Sequence, residues 1–121
     1  DPLFHHQLCV DAYGAQHSGG SVRPITTVFA LVGLYLAVER GFTGRQVQIA
    51  HMKLAKKTGK RTDWPRLEPP EPTWEITVLD VMNAKAGDGR KEMIKKWAKA
   101  AWNSWAHEHD RIRTICERWI L

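Results

Sequence analysis

The segment HHQLCVDAYGAQH, residues 5–17, carries many side chains that transfer protons or bind metals. It holds three histidines, a thiol, a carboxylate, a phenol and carboxamides. His6, Tyr13 and His17 follow one another at intervals of seven and four residues, which places them on one side of an α-helix. The segment therefore predicts a polar helix face that serves metal binding, acid–base chemistry or a polar contact between helices.

Metal binding is the first hypothesis, because a helical bundle can hold an ion between side chains of facing helices. His6 and His17 lie eleven residues apart. That is about 16 Å along one helix, whereas two ligands of one ion lie only ~3 to 4 Å apart. The two histidines therefore cannot share an ion. His6 and Cys9 have helix-compatible spacing, and the third ligand of a divalent metal such as zinc would be His109 or His51.

Acid–base chemistry is the second hypothesis, and it centres on His109. Trp102 and Trp105 share the stripe of the last helix with this histidine, so its surroundings are expected to be apolar. Glu39 or Asp11 would orient the second ring nitrogen.

Two further interpretations of the same residues remain open. A hydrogen bond from His109 to Tyr13 or Gln16 would give the histidine a purely structural role in joining two helices. Cys9 beside His5 or His6 is a possible nucleophile, although the sequence shows no group that would orient the base and no oxyanion donors.

Hydrophobic periodicity places these residues on helices. The first helix covers residues 5–17, and a second from 22 to 40 is apolar around nearly its whole circumference, which is typical of a central helix packed on several sides. A third helix is expected over 44–58. A short helix or a strand over 76–84 precedes a last helix, which runs unbroken from 89 to 119.

The fold prediction is an all-α, single-domain bundle of four to five helices covering residues 1–121. A proline-rich strap, residues 61–73, contains four of the six prolines and crosses before the last helices. The best membrane candidate, residues 28–38, is only eleven residues long, so no membrane association is expected. The chain begins at Asp1 without methionine, which suggests a missing N-terminal segment, and a cytoplasmic location is the default expectation.

The net charge of +5 comes mainly from two lysine-rich segments, 53–61 and 90–99. A lysine-rich face that docks an acidic protein or nucleic acid is therefore the alternative function. Nucleic acid is the weaker of these two partners, because most tryptophans lie on apolar stripes that indicate core positions. Trp64 in the strap and Trp74 directly after it are freer to line a ligand groove.

Several phrases resemble a bacterial family catalogued only as a domain of unknown function. They include V-D-A-Y-G-A-Q-H (10–17), L-Y-L-A-V-E-R-G (34–41) and W-N-S-W-A-H-E-H-D-R-I-R (102–113). The family pattern combines H-x-L-x-V-x-x-Y-x-x-Q-H-P, L-E-R-G and W-x-x-W-x-x-x-H-x-x-V-R. Ser18 stands where this family usually has proline, and Ala30 stands where a histidine is expected. The resemblance implies no activity, but it points to eight residues: His6, Tyr13, Gln16, His17, Glu39, Trp105, His109 and Arg113.

Together these observations predict a pocket between the first and last helices that binds a small ligand or a divalent metal, with acid–base or metal-assisted catalysis. The expected catalytic residues are His109, His17, Tyr13 and Glu39. The expected ligand-binding residues are His6, Gln16, Trp102, Trp105 and Arg113. The expected metal ligands are His6, Cys9 and His109. If an upstream helix is missing, its groove would be filled by that segment or by a second copy of the chain.

Overall fold

A computed structural model describes residues 2–121 and confirms the all-α prediction. Within that range the chain forms no strand, and its α-helices are α1 Pro2–Gln16, α2 Pro24–Val38, α3 Gly44–Thr58, α4 Val78–Asn83, α5 Asp88–Ser104 and α6 His109–Trp119. A single 3₁₀ turn, Ala106–Glu108, separates α5 from α6. None of the helices within residues 2–121 combines the length and apolar character that crossing a membrane requires.

Helix α2 is the centre of the bundle, as its apolar circumference predicts. Pro24 occupies its first turn, where the missing N–H has no intrahelical partner to lose. Every residue from Thr27 to Leu36 except Phe29 is buried. The helices α1, α3, α5 and α6 all pack on α2, whereas α4 packs on α5. The central helix is therefore the surface on which most of the bundle packs.

Helices α1 and α3 lie side by side against α2. Ala12 and Ala15 are fully buried on the inner face of α1, and their small side chains permit close packing. Helix α3 has the predicted bounds, and a capping box fixes its start. The Thr43 side chain accepts a hydrogen bond from the Gln46 backbone N–H, while the Gln46 side chain accepts one from the Thr43 N–H.

The proline-rich strap crosses the bundle in an irregular conformation and is fastened to the 3₁₀ turn. The Glu68 N–H donates to Oε2 of the buried Glu108 carboxylate at 3.0 Å, and His107 Nε2 donates to the Glu68 carbonyl at 2.6 Å. Leu67 inserts into the core beside these contacts. Beyond the strap, Thr77 caps α4, so the segment with the competing strand prediction is a helix.

The prediction of one unbroken last helix is wrong, and the break explains why there are six α-helices within residues 2–121 and not four or five. No glycine or proline marks the break, so tertiary contacts cause it. The Trp105 indole N–H donates to the Ala15 carbonyl of α1 at 3.1 Å, and Glu108 is held by the strap.

Candidate functional site

Four of the predicted site residues meet where α2, α5 and α6 join, and we call them the Glu39 cluster: Glu39, Trp102, His109 and Arg113. The Glu39 carboxylate accepts hydrogen bonds from the Trp102 indole N–H at 2.5 Å and from Arg113 Nη2 at 3.0 Å. The His109 ring lies flat on the Trp102 indole, with ring centroids 3.7 Å apart. Its Nε2 donates to the Trp102 carbonyl at 2.8 Å, which satisfies a carbonyl at the end of α5.

The charged side chains of the Glu39 cluster, Glu39 and Arg113, are bonded to each other. Burial raises the pKa of the Glu39 carboxyl, but hydrogen bonds from Arg113 and Trp102 outweigh this effect and leave the pKa below its ordinary value. The carboxylate is thus ionised and already bonded. The cluster is well suited to holding three helix ends together. Its hydrogen-bonding groups are already engaged with one another, so few remain to bind a substrate.

Gln16 and Trp105, both predicted to bind a ligand, lie instead in a buried seam between α1 and α5. The Gln16 side chain accepts from the Trp97 indole N–H at 2.9 Å and donates to the Ile76 carbonyl at 2.7 Å. The Trp105 indole donates to the Ala15 carbonyl. Both side chains thus form hydrogen bonds with other parts of the protein.

The remaining predicted residues lie on α1. Tyr13 and His17 form an exposed stacked pair with ring centroids 3.9 Å apart, and His6 is also exposed. Cys9 is half-buried, and burial raises the pKa of its thiol. Among residues 2–121, no three histidine, cysteine, aspartate or glutamate side chains cluster closely enough to hold a metal ion. His6, Cys9 and His109 therefore do not meet there, and zinc binding stays a prediction.

A different site opens between α1, α2 and α3, and we call it the Asp11–His51 cavity. Its volume is about 430 Å³. Its lining is mostly apolar and consists of Gln7, Val10, Asp11, Gly14, Ile25, Thr26, Phe29, Ala30, His51 and Ala55. Its size and lining are typical of small-molecule sites, which are largely apolar with a few polar groups that orient the ligand.

The Asp11 carboxyl is 3% exposed and lies over Gly33 of α2. A Cβ on residue 33 would fall 1.9 Å from Asp11 Oδ2, so only glycine leaves room for the carboxyl at this point. Burial raises the pKa of Asp11 from 3.8 to about 8, although the Gln7 amide, which donates to both carboxyl oxygens at 3.1 and 3.2 Å, acts in the opposite direction. The group is therefore mostly a neutral carboxylic acid at pH 7.

His51 of α3 approaches the same point on α2. Its Nε2 donates to the Phe29 carbonyl at 2.8 Å, so the neutral ring carries its hydrogen on Nε2 and presents Nδ1 as an acceptor. Burial lowers the pKa of His51 despite this hydrogen bond, which favours the neutral form. The same Cβ position of Gly33 lies 3.1 Å from His51 Cε1, which places Asp11 Oδ2 and His51 Cε1 no more than about 5 Å apart.

The cavity thus places a neutral acid and a neutral base close together in an apolar environment. Sequence reasoning named Asp11 only as an orienting partner and His51 only as an additional metal ligand, and it missed their meeting. The signal that could have revealed it is Gly33, a glycine in the middle of an otherwise strongly apolar helix. Such a glycine often marks the close approach of another group.

The chain is similar to a known protein family. The model of a family described as "Family of unknown function (DUF5946)" matches residues 1–106, which confirms the resemblance seen in the sequence. No curated protein and no solved structure matches the chain. Asp11 and His51 lie inside the matched range, whereas His109 and Arg113 lie beyond it.

Proposed function

The chain belongs to this family of unknown function, and on that premise we propose that it binds a small, largely apolar molecule in the Asp11–His51 cavity. One observation carries the proposal. Asp11 is a buried carboxyl group beside an open cavity, and no lysine, arginine or histidine within residues 2–121 forms an ion pair with it. Groups with strongly shifted pKa values beside a cleft cluster at functional sites, which makes Asp11 a candidate.

The chemistry of the lining defines the expected ligand. Val10, Ile25, Phe29 and Ala30 would surround a hydrocarbon or aromatic body. The neutral Asp11 carboxyl donates one hydrogen bond, and His51 Nδ1 accepts one. The ligand is therefore expected to be uncharged and to carry one polar group that both accepts and donates, such as a hydroxyl or an amide.

The same two side chains can move a proton. Asp11 would give its proton to a basic oxygen or nitrogen of the ligand, while His51 Nδ1 takes one from an acidic position on the same molecule. The net proton count of the protein is unchanged by the pair of transfers. Acid–base catalysis is thus the activity to look for once a ligand is known.

The experiment is a titration with small probes, followed by NMR spectra of the protein. We expect phenol and benzamide, both neutral, to shift the resonances of residues 10–14, 25–30 and 51, and benzoate to have a much weaker effect because its charge would be buried unpaired. Val10→Trp, at the exposed rim, should block the cavity and abolish these shifts. Met52→Trp is the matched control, since Met52 is exposed on α3 and does not line the cavity.

Two results would contradict the proposal. One is probe binding that survives Val10→Trp unchanged. The other is probe binding that is the same in Asp11→Ala and His51→Ala as in the wild-type protein, which would show that the polar pair plays no part. Adding Zn²⁺ to the same samples tests the metal prediction, because an ion bound by the predicted ligands would shift the ring resonances of His6 and His109.

A further inference from the structure

A second concave surface, which we call the strap cleft, has a lining separate from that of the Asp11–His51 cavity. It is formed between strap residues 61–65 and α6, and its volume is about 390 Å³. Its lining differs sharply from that of the first cavity, since it combines three arginines with two tryptophans: Arg61, Arg111, Arg118, Trp64 and Trp119.

The charge in the cleft is positive and only partly neutralised. Arg61 is paired with Asp63 at 2.7 Å, and Arg111 lies 3.7 Å from Glu108. Among the described residues, no carboxylate forms an ion pair with Arg118. Its guanidinium lies 4.7 Å from the centre of the Trp119 ring.

Asp110 is the one acidic residue among residues 2–121 that lines the cleft, and it is itself paired with Arg113 at 3.1 Å. The carboxylate therefore has a cation of its own outside the cleft lining. The cleft keeps a net positive charge and would attract an anion.

The two tryptophans give the cleft aromatic walls. Arg61 lies 5.5 Å from the centre of the Trp64 ring, so each indole is paired with an arginine. The back of Trp64 packs edge-on against Phe29, with ring centroids 5.9 Å apart, which fixes its position in the strap. Trp64 Nε1 is buried without an acceptor among residues 2–121, an unusual condition that a ligand oxygen could relieve after a small shift of the strap.

We propose that the strap cleft binds a nucleoside phosphate. A flat base is the group that an indole face binds by stacking, and a guanidinium pairs with phosphate oxygens in a bidentate manner. The cleft provides both within one volume of small-molecule size. The lysines of segments 53–60 and 91–99, which a long nucleic acid would need, do not line it.

This site is independent of the proposed function. The Asp11–His51 cavity favours an uncharged ligand, whereas the strap cleft favours an anionic one. Phe29 lines the former and Trp64 the latter, and the two cavities share no lining residue. Failure of either proposal would leave the other standing.

Isothermal titration calorimetry with AMP, adenosine and inorganic phosphate tests the proposal. We expect AMP to bind at least about tenfold more tightly than either half alone, and to bind more weakly as salt is added. Arg118→Glu, at an exposed position, should weaken AMP binding at least about tenfold. Trp119→Ala should weaken the binding of both AMP and adenosine. Trp74→Phe, directly after the strap and outside the cleft, should change neither affinity.

Lys96→Glu controls for general charge attraction, because it makes the same change in net charge at an exposed residue outside the cleft. If Lys96→Glu lowered the affinity for AMP as much as Arg118→Glu does, this would overturn the proposal. So would the absence of AMP binding up to ~5 mM, or equal affinity for AMP and phosphate. An oligoadenylate that binds more than about tenfold more tightly than AMP would also overturn it, in favour of single-stranded nucleic acid.

Discussion

The Asp11–His51 cavity and the Glu39 cluster use similar residues in opposite ways. Each combines a carboxyl group with a histidine against the central helix. Glu39 has an arginine and an indole N–H as partners, and its pKa lies below the ordinary value. Among the described residues, Asp11 has only the Gln7 carboxamide as a side-chain partner, and its pKa is raised to about 8. The same residue types therefore produce a closed structural network in one place and an open, chemically available pair in the other.

The difference teaches that the partners of a polar group, and not its type, separate structure from candidate function. A fully bonded ion pair stabilises the helices that carry it, provided that the hydrogen bonds outweigh desolvation. A buried carboxyl without a cation lowers stability at neutral pH, because the unfolded chain would ionise it freely. Replacing the ionisable carboxyl group by an amide should consequently change the stability at neutral pH in opposite directions in the two regions.

The largest expected effect is the change that Asp11→Asn makes in the pH dependence of the free energy of unfolding. Between about pH 4 and pH 8 the folded wild-type protein keeps a proton that the unfolded chain releases, so wild-type stability should fall relative to the variant. The slope is up to about 1.4 kcal/mol per pH unit. Urea unfolding at about pH 4, 6 and 8 measures this difference, which should be small at the lowest pH and reach a plateau above the highest.

Glu39→Gln is the matched opposite of that variant. Because the folded-state pKa of Glu39 is lowered, its contribution is present above the unfolded pKa, near 4.5, and is lost as the pH falls through the folded value. The variant should therefore be less stable than the wild type at pH 7, and the difference should shrink in acid. The same sign of effect for both variants would break the comparison.

Gly33→Ala should have the next largest effect. The new methyl group would lie 1.9 Å from Asp11 Oδ2, so the carboxyl must move. Overpacking of this kind costs about 1–3 kcal/mol, against a gain in helix propensity of at most about 1 kcal/mol. Thermal or urea unfolding measures the loss in free energy of unfolding.

A double variant tests whether the contact with Asp11 causes the loss of stability in Gly33→Ala. Gly33→Ala combined with Asp11→Ala should recover much of the lost stability, since the clashing group is gone. Gly89→Ala in α5 is the control, because its methyl group would meet only the Lys85 side chain at 3.3 Å. Equal losses of stability in Gly33→Ala and Gly89→Ala would show that the position of the Asp11 carboxyl does not depend on the absence of a Cβ at residue 33.

The third effect concerns His109→Ala in the Glu39 cluster. This variant removes the stacking on Trp102 and leaves the Trp102 carbonyl without its side-chain donor, so it should lose about 1–2 kcal/mol. His6→Ala, at an exposed position on α1, is the control and should be near neutral. Unchanged stability in His109→Ala, together with loss of probe or metal binding, would reassign His109 from structure to function.

The sequence predicts most of the fold because the fold depends on local patterns. The apolar circumference of residues 22–40 predicted the central helix, and the bounds of α3 were predicted without error. The break at 105–108 was not predictable, since it depends on contacts with Ala15 and Glu68 that are remote in sequence. Local periodicity carries no information about such contacts.

The candidate site was predicted less well, for the same reason. Periodicity can place His109, Glu39 and Arg113 on inward faces, and the structure does bring them together with Trp102. Periodicity cannot show whether a polar side chain on an inward face has a hydrogen-bonding partner. Asp11 and His51 lie forty residues apart in the sequence, and their proximity depends on how α1 and α3 each approach Gly33.

The smallest expected effect lies at the exposed surface of α1, where sequence reasoning placed two catalytic residues. His17 stacks on Tyr13 and bonds through Nδ1 to the Tyr13 carbonyl at 2.9 Å, but both side chains are exposed. Water can replace that hydrogen bond, so His17→Ala should change the free energy of unfolding by less than about 0.5 kcal/mol. It should also leave probe binding at the Asp11–His51 cavity intact. A clear loss of probe binding in His17→Ala, measured in the same NMR titration, would instead extend the functional surface along α1 and narrow the contrast between an open cavity and partnered polar groups.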